Sequence, residues 1–361
     1  GALGGISLLV GGVGIVTIMT IAVTERTGEI GLLVALGAPR RTILALFLGE
    51  AVALSALGGL FGLALGIGLC GLTQAASWSF ALIGDVPYST YERHELPPML
   101  ATIGDSNVAF IAHVGDIKHG QERCDDALFV DRQQLFDASR VPFVFIPGDN
   151  EWADCGRLSN GGYDPLERLE RLRALFWQRP DTLGRRTLPL ERQAGAYPEH
   201  SRFRLGPVLF VTLNLPGPGN NAGSRAEASA EFRQRNPQVL RWVRDSFELA
   251  RRENLRGVAL LFQADPGFNH FAQGLAHRGF RDFLDTVRSE ALNFPGQVAL
   301  IHGDTHISRI DHPLRDGGGT PLPNVVRVET FGYPLMGWTR GVIDSDSPAL
   351  FRFEAYPWPG H

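Results

Sequence analysis

The chain has 361 residues, a formal net charge of -4 and a pI near 6.2. It is long enough for one large domain or two ordinary ones, and its charge gives no reason to expect nucleic acid as a partner. Three cysteines are too few for a disulfide scaffold, and none forms a Cys-x-x-Cys metal pair. Composition separates residues 1–73, dominated by Gly, Ala, Leu, Ile and Val, from a remainder with the mixed composition of a soluble domain.

Two apolar stretches in the first section are long enough to cross a bilayer, which takes about twenty residues. Residues 4–23 carry no charge, and residues 42–72 carry a single glutamate. The segment between them, 24–41, contains three arginines, and the positive-inside tendency makes it a cytoplasmic loop with both flanking ends outside. The sequence therefore predicts two transmembrane α-helices in residues 1–73, a short junction at 74–78, and a second domain at 79–361.

Two other interpretations of the apolar section stay open. It could be a pair of buried helices in a soluble protein, although the length of the apolar runs argues against this. Alternatively, residues 61–76 could be the apolar core of a secretory signal with cleavage near "TQAA". If the apolar section spans a membrane, or if it is a secretory signal, the second domain lies in the periplasm or outside the cell.

Residues 4–66 contain "GGVGIVTIMTIAVTERTGEIGLLVALGAPRRTILALFLGEAVALSALGGLFGLALG". This string resembles the C-terminal part of FtsX-like permeases of ABC transporters, such as the macrolide-exporter type. In that family the "TERTGEIG" loop rests on a cytoplasmic ATPase, so the resemblance implies a lipid bilayer and an ABC ATPase subunit as partners. Transport by these residues alone is the least favoured function, since the ATPase and the earlier permease part do not accompany them. A gene fusion, or an artefact of joined reading frames, is an open explanation of the abrupt junction.

Beyond the junction, apolar runs alternate with amphipathic patterns, which is typical of a layered α/β domain. The predicted strands are 79–84, 108–114, 141–147, 207–213, 257–262 and 297–302. The predicted helices are 125–139, 164–177, 237–253 and 279–291. The third helix has Asn236 as its expected N-cap and Pro237 at its first position. After residue 306, three alternating segments predict antiparallel strands.

Four of the predicted strands end in Gly-Asp. They read "FALIGD", "AFIAHVGD", "FIPGDNEW" and "VALIHGDTH", and their aspartates are Asp85, Asp116, Asp149 and Asp304. Ligands of open α/β sheets bind beyond the carboxyl ends of the strands. Clustered carboxylates raise one another's pKa unless a cation neutralises them. The sequence therefore predicts a metal site at this edge, and the alternative is four ordinary turns.

The motifs "GDVPY", "VGD", "GDNEW", "FQADP" and "HGDTH" resemble, in order and spacing, those of the calcineurin-like metallophosphoesterases, over roughly residues 78–356. The family pattern is Asp-x-His, Gly-Asp, Gly-Asn-His-Glu, a lone His and Gly-His-x-His. The resemblance implies a sandwich of two β-sheets flanked by helices. It also implies hydrolysis of phosphate mono- or diesters by a metal-activated water.

Carried over residue by residue, the resemblance implies two metal positions that share Asp116 as a bridge. The first takes Asp85, Asp116 and His306, and lacks one ligand because Pro87 stands where the family has His. The second takes Asp116, Asp149, Gln263 and Asp304. Gln263 would coordinate through its carbonyl oxygen, so this oxygen-rich position favours Mn or Mg over Zn, with Ca as a further option. We expect one or two divalent cations, with the first position the weaker.

The family's catalytic His is replaced by Asn150, which can donate a hydrogen bond to phosphate but cannot act as a general acid. His119 or His302, which flank the motif aspartates, could supply the leaving-group proton. A loop after the fourth predicted strand could line the substrate side with Asn214, Asn220 and Asn221.

Cys124 and Cys155 follow two of the motif loops, so they are predicted to form a disulfide, since the topology places this domain outside the cytoplasm. Two functions compete for the domain. The first is a membrane-anchored or exported metallophosphoesterase. The second is a degenerate metal- or phosphate-binding domain without turnover.

Overall fold

The computed structural model describes residues 24–46, 77–223 and 229–359, with short pieces at 48–49, 52–53 and 56–58. The chain divides into two compact units, Gly1–Gln74 and Ala75–His361. This division falls inside the predicted junction at 74–78.

In the first unit, helix α1 (Thr27–Ala35) occupies the segment that was expected to be a loop, and residues 40–46 are helical as well. The sequence of α1, "TGEIGLLVA", contains good helix formers, and the helix stops before Gly37, whose φ of 84° is one that glycine adopts most readily. No described helix has both the length and the apolar character that crossing a bilayer requires. The predicted span at 4–23 lies outside the described residues, and the span at 42–72 is described only in part.

The described part of the second unit contains twelve strands in two sheets. In chain order the strands are β1 (Ser77–Ile83), β2 (Ile111–His113), β3 (Phe143–Phe145), β4 (Glu191–Arg192), β5 (Ser201–Leu205), β6 (Val208–Thr212), β7 (Gly257–Leu261), β8 (Gln297–His302), β9 (Arg309–Asp311), β10 (Val325–Glu329), β11 (Gly337–Asp344) and β12 (Phe351–Pro357). The first sheet has the order β12-β11-β1-β2-β3, and the second has the order β4-β5-β6-β7-β8-β10-β9. All six strands predicted from apolar runs are present.

Six α-helices lie among the residues of this unit that the structure describes. They are α2 (Thr90–Asp105), α3 (Asp126–Asp137), α4 (Pro165–Phe176), α5 (Ala230–Arg252), α6 (Phe268–Ala272) and α7 (Arg278–Leu292). Side chains of α2, α3 and α4 pack on the outer face of the first sheet, and those of α5 and α7 pack on the outer face of the second. The layers therefore run helix, sheet, sheet, helix, as the resemblance to metallophosphoesterases implied.

Four phenylalanines hold the inner faces of the two sheets together. Phe80 and Phe110 come from the first sheet, and Phe203 and Phe210 come from the second. Phe110 lies with its ring centroid 5.3 Å from that of Phe80 and 5.0 Å from those of Phe203 and Phe210. All four side chains are buried, so burial of aromatic area fixes how the sheets face each other.

Strand direction explains why the motif residues meet. Strands β1, β2 and β3 pair in parallel, so Asp85, Asp116 and Asp149, which follow them, lie beyond one edge of the first sheet. Strands β7 and β8 are parallel in the second sheet and lead to Gln263 and Asp304. The predicted edge of carboxylates is therefore formed by strand ends of both sheets.

Helix α5 corrects the prediction for residues 236 and 237. It begins at Ala230, its N-cap is Ser229, whose hydroxyl accepts from the Phe232 N–H, and Pro237 lies inside it. The turn before the proline is held by Arg235, which is fully buried and donates to the Asn214 carbonyl oxygen at 2.6 Å. These contacts outweigh the preference of proline for the first turn.

Two further differences concern elements after β1. Helix α2 was not among the predicted helices, since Pro97 and Pro98 lie inside it; the Ser89 hydroxyl caps its start and apolar residues on one face bury it against the first sheet. Strand β10, expected to be antiparallel, is parallel to β8 and antiparallel only to β9, whereas β11 and β12 are antiparallel as predicted.

Candidate functional site

Four motif residues at the sheet edge have left-handed backbones. The φ angles are 51° for Asp85, 60° for Asp116, 83° for Asp304 and 61° for His306. Non-glycine residues rarely adopt such angles, and clusters of them occur where the fold holds side chains for a purpose. The strained turns aim these side chains toward one another at the junction of the two sheets.

One oxygen of Asp116 accepts three hydrogen bonds from neutral donors. The Tyr88 hydroxyl donates to Asp116 Oδ2 at 2.9 Å, the Asn150 amide at 3.0 Å and the Gln263 amide at 3.2 Å. The other oxygen, Oδ1, accepts from the Asn150 backbone N–H at 3.2 Å. Asp116 is 4% exposed, so this carboxylate is buried and surrounded by donors. We call Asp116 with Tyr88, Asn150 and Gln263 the capped side of the site.

The orientation of the Gln263 amide is fixed by a backbone donor. Its Oε1 accepts from the Gly217 N–H at 2.6 Å, and an N–H can only donate, so Nε2 must be the atom that faces Asp116. The carbonyl oxygen expected to be a metal ligand is thus already bonded. On this geometry the second metal position lacks its Gln263 ligand and presents an N–H instead.

Asp85 and His306 are arranged differently, as two acceptors facing each other. His306 Nδ1 lies 2.7 Å from the Tyr333 carbonyl oxygen, which can only accept, so this nitrogen carries the proton. Partial burial lowers the pKa of His306 below its usual value, which favours a neutral ring with a lone pair on Nε2. That Nε2 lies 3.6 Å from Asp85 Oδ1, and this separation is compatible with both atoms binding one cation about 2.0–2.2 Å from each.

Asp149 and Asp304 provide further oxygens beside Gly217. A Cβ built on Gly217 would lie 2.9 Å from Asp149 Oδ1 and 3.0 Å from Asp304 Oδ1, so only glycine leaves this space free. Asp149 Oδ1 is buried and has no hydrogen-bond partner among the described residues. The Asp304 backbone N–H donates to Asp85 Oδ1 at 3.1 Å, which links this pair to Asp85. We call Asp85, Asp149, Asp304 and His306 the open side of the site.

Burial makes the negative charge of this cluster costly. It raises the pKa of Asp85, Asp116 and Asp149 well above the usual value, and neighbouring carboxylates raise each of them further. Burial also raises the pKa of Asp304 to about 6. The nearby Lys118 ammonium donates to the carbonyl oxygens of residues 119 and 122 rather than to a carboxylate. The cluster therefore needs either protons or a bound cation.

The residues fit one cation better than two. Within the described part of the chain, no group of three His, Cys, Asp or Glu side chains is arranged to hold a metal ion. The open side nevertheless offers a facing nitrogen and oxygen and one buried carboxylate oxygen without a partner, which are the donor types that divalent cations accept. The capped side offers N–H and O–H groups, which repel a cation.

Glu151 and the disulfide support the capped side from behind, and sequence reasoning gave Glu151 no role. The Glu151 carboxylate is fully buried and accepts from the backbone N–H groups of Asp116 and Gly148, so it ties two motif loops together. The predicted disulfide is present: Cys124 and Cys155 are bonded, with Cα atoms 5.8 Å apart. The presence of Glu in the "GDNE" motif was the available signal.

The two candidate proton donors lie in different places. His119 lies edge-on to Tyr88, with ring centroids 5.5 Å apart, and its Nδ1 accepts from the Gln121 N–H, so a neutral ring carries its proton on Nε2. His302 is fully buried, stacks on Phe262 at 5.6 Å, and burial lowers its pKa. His302 therefore belongs to the helix-covered face of the second sheet, whereas His119 borders the site.

The three asparagines proposed to line the substrate side are engaged elsewhere. Asn214 donates to Glu199, Asn220 donates to the carbonyl oxygen of residue 279, and Asn221 donates to Glu231. Their side chains form part of the network around the buried Arg235. Their hydrogen bonds account for the shape of the loop that carries Gly217, and a direct substrate contact stays an untested prediction.

A cleft of about 600 Å³ adjoins the site. Tyr88 and His119 form the wall nearest to Asp116. The charged part of the lining includes Arg93 and Arg132, which both donate to Asp131. A cleft of this size holds a small organic molecule, and it places His119 between the solvent and the carboxylate cluster.

Known proteins resemble two separate parts of the chain. Residues 1–104 match the family described as FtsX-like permease C-terminal. The macrolide export ATP-binding/permease protein MacB of Wolinella succinogenes is 54% identical over 74 residues, which are 20% of this chain and 12% of that protein. The ABC transporter permease YknZ of Bacillus subtilis is 52% identical over 79 residues, which are 22% of this chain and 20% of that protein. The chain thus spans a small part of these relatives.

Among solved structures, the fold resembles a dimetal phosphatase from Danio rerio, with a TM-score of 0.50, 14% identity, and coverage of 78% of this chain and 96% of that one. A purple acid phosphatase from yellow lupin seeds follows, with a TM-score of 0.45, 12% identity, and coverage of 78% and 54%. At such identities the first likeness shows the fold alone. The two resemblances identified in the sequence are confirmed, as a permease-like N-terminal section and a phosphatase-like fold.

Proposed function

We propose that the second unit is a metal-dependent hydrolase of phosphate mono- or diesters. The observation that carries this proposal is the open side, where Asp85 Oδ1 and His306 Nε2 face each other across 3.6 Å while the Tyr333 carbonyl oxygen holds the ring proton on Nδ1. The likeness in fold to a dimetal phosphatase supports the same class of reaction.

Asp85 and His306, with Asp149 and Asp304 beside them, would hold the cation. Bound there, a divalent cation lowers the pKa of an attacking water and offsets charge on the phosphoryl oxygens. The oxygen-rich donor set favours Mn or Mg, with Ca as a further option, over Zn. The Tyr333 carbonyl keeps the proton of His306 on Nδ1 and so keeps Nε2 available.

His119 is the residue placed to protonate the leaving group. Asn150 stands where related enzymes have a catalytic His, and its amide is occupied by Asp116 and the Tyr88 hydroxyl. His119 lines the cleft. To act as the acid it must enter the reaction as the imidazolium, with Nδ1 released from the Gln121 N–H, and it is left neutral once its Nε2 proton has passed to the leaving oxygen. An ester bound in the cleft would have its phosphoryl group toward the carboxylates and its leaving group toward His119.

The test is hydrolysis of p-nitrophenyl phosphate and bis(p-nitrophenyl) phosphate by the full chain. After chelation and dialysis, we expect no activity until Mn or Mg is added. Asp85→Asn should lower metal affinity by about 100-fold or more, because it removes a direct ligand. The matched control is Asp105→Asn, which changes an exposed carboxylate paired with Arg140.

Absence of hydrolysis with Mn, Mg, Ca and Zn, in protein that still binds metal, would favour the second candidate function. That function is a metal- or phosphate-binding domain without turnover. The observation in its favour is the capped side, where amides and a hydroxyl replace the cation-binding groups of active relatives.

We further propose that residues 1–73 anchor the chain in a bilayer and that the hydrolase domain lies outside the cytoplasm. The match of residues 1–104 to a permease family supports membrane association, and the disulfide supports an oxidising compartment. An ABC ATPase would be a partner if the permease-like section retains that role. The oxidation state of Cys124 and Cys155 in cells tests the location and is taken up in the Discussion.

A further inference from the structure

We propose that Tyr88, Asn150 and Gln263 take the place of a second cation, so that the centre binds a single divalent cation and Asp116 is not a bridging ligand. This inference rests on the proposed function. It concerns how many cations that function uses and which carboxylate stays outside the reaction.

Both carboxylate oxygens of Asp116 already accept hydrogen bonds. Three donors converge on Oδ2 at 2.9, 3.0 and 3.2 Å, and a fourth reaches Oδ1. A carboxylate oxygen has two lone pairs, so a cation could bind Asp116 Oδ2 only after some of these donors had moved away. The donors therefore occupy the atoms that a bridging carboxylate would offer to a second cation.

The donors that surround Asp116 are themselves held in place by other hydrogen bonds. Gln263 is fixed by the Gly217 N–H, as described above. The Asn150 amide also donates to the Lys118 carbonyl oxygen at 3.1 Å and to the Tyr88 hydroxyl at 2.8 Å. Rotating any one of the three amide or hydroxyl groups toward a cation would leave buried donors or acceptors unpaired, which is unfavourable.

The open side differs from the capped side, because its side chains present acceptor atoms. Asp149 Oδ1 has no donor among the described residues, and His306 Nε2 faces Asp85 with a lone pair. Acceptors that lack a donor thus lie where the first cation would bind, whereas the position of a second cation is filled by donors. The chemistry of the donors divides the cluster into one position for a cation and one position whose carboxylate oxygens are already occupied by hydrogen-bond donors.

The experiment counts Mn on the full chain after chelation and reconstitution, by elemental analysis and electron paramagnetic resonance. We expect one Mn per chain with the hyperfine pattern of an isolated Mn(II). Two Mn per chain with an exchange-coupled spectrum would overturn the inference and leave the proposed function standing. No bound Mn would overturn both.

Variants sharpen the count. Asp116→Asn should still bind one Mn, with affinity lowered by no more than about tenfold, because only a nearby charge is lost. A loss as large as that of Asp85→Asn would show that Asp116 is a ligand and would overturn the inference. The double variant Asn150→His/Gln263→His should gain a second Mn and a coupled spectrum. Gln178→His, at an exposed position, controls for histidine binding metal by itself.

Discussion

The capped and open sides of the cluster start from the same residue type and differ in their surroundings. On the capped side, Asp116 is met by a hydroxyl and two amides. On the open side, Asp85 is met by an imidazole nitrogen without a proton, and Asp149 has an oxygen without a hydrogen-bond partner in the described part of the chain. A buried carboxylate satisfied by dipoles is a structural element, whereas one facing other acceptors requires a cation or a proton.

The comparison also shows how a likeness in fold can mislead about a site. The strand ends deliver the carboxylates to the expected edge, and the scaffold alone would assign them equal roles. The neighbours decide otherwise, since a single backbone N–H from Gly217 turns the Gln263 amide and removes a ligand.

If the open side is where the reaction occurs, its proton donor should be His119 and not His302. We expect His119→Asn to lower kcat by about 100-fold on alkyl phosphates, because general acid catalysis is lost. The loss should be smaller on p-nitrophenyl phosphate, whose leaving group needs no proton.

His302→Asn is the matched variant, because His302 is buried on the other face of the second sheet. It should lower the thermal midpoint and leave the leaving-group dependence unchanged. Equal rate losses in the two variants, or the same loss on both substrates, would contradict the assignment of His119.

The disulfide between Cys124 and Cys155 lies behind the capped side, and removing it tests how much it contributes to stability. Both sulfurs lie near the Asn150 carbonyl oxygen, at 3.5 Å for Cys124 and 3.7 Å for Cys155. We expect Cys124→Ser/Cys155→Ser to lower the free energy of unfolding by about 2–4 kcal/mol, measured by urea titration. Cys70→Ser, which removes the third cysteine, should have no such effect.

The same pair reports on location. Alkylation of freshly lysed cells, followed by mass spectrometry, should find Cys124 and Cys155 unmodified until a reductant is added. Both thiols alkylated without reduction would place the domain in a reducing compartment and contradict the proposed location.

The smallest expected effect is a pH dependence that originates on the capped side. Burial raises the pKa of Glu151 from 4.5 to about 6. The folded chain therefore binds this proton more tightly than the unfolded chain does. Stability contributed by Glu151 should be present below pH 4.5, fall as the pH rises to about 6, and stay level above that.

Thermal unfolding of the metal-stripped chain between pH 4 and 8 measures this slope. Glu151→Gln should reduce it, while Glu170→Gln, at an exposed glutamate paired with Arg173, should not. A midpoint that falls between pH 4.5 and 6 by the same amount in both variants would show that Glu151 does not contribute.

Much of this arrangement could be predicted from sequence, because it follows from strand periodicity. Four apolar runs ending in Gly-Asp place carboxylates at one edge whenever the strands are parallel. Ala299 and Ile301 face the inner side of their sheet. Because successive strand residues point to opposite faces, His302 faces the other side. That alternation was the available signal against His302 as the proton donor.

The remaining features depend on contacts between distant parts of the chain. The amide of Gln263 is oriented by a residue 46 positions away, and Tyr88 reaches Asp116 across 28 positions. Neither contact leaves a local pattern in the sequence. The predicted start of α5 was wrong for the same reason. The buried network around Arg235 outweighs the local preference of Pro237 for a first helical turn.

The phenylalanine packing between the sheets has a consequence for the cation site. Asp85 belongs to one sheet, and Asp304 and His306 belong to the other, so the gap between ligands is a spacing between two layers. Phe80, Phe110, Phe203 and Phe210 act as the spacer that sets this gap. Trimming one of these rings would let the layers settle closer together. The spacing of the proposed ligands therefore depends on aromatic side chains in the core between the sheets.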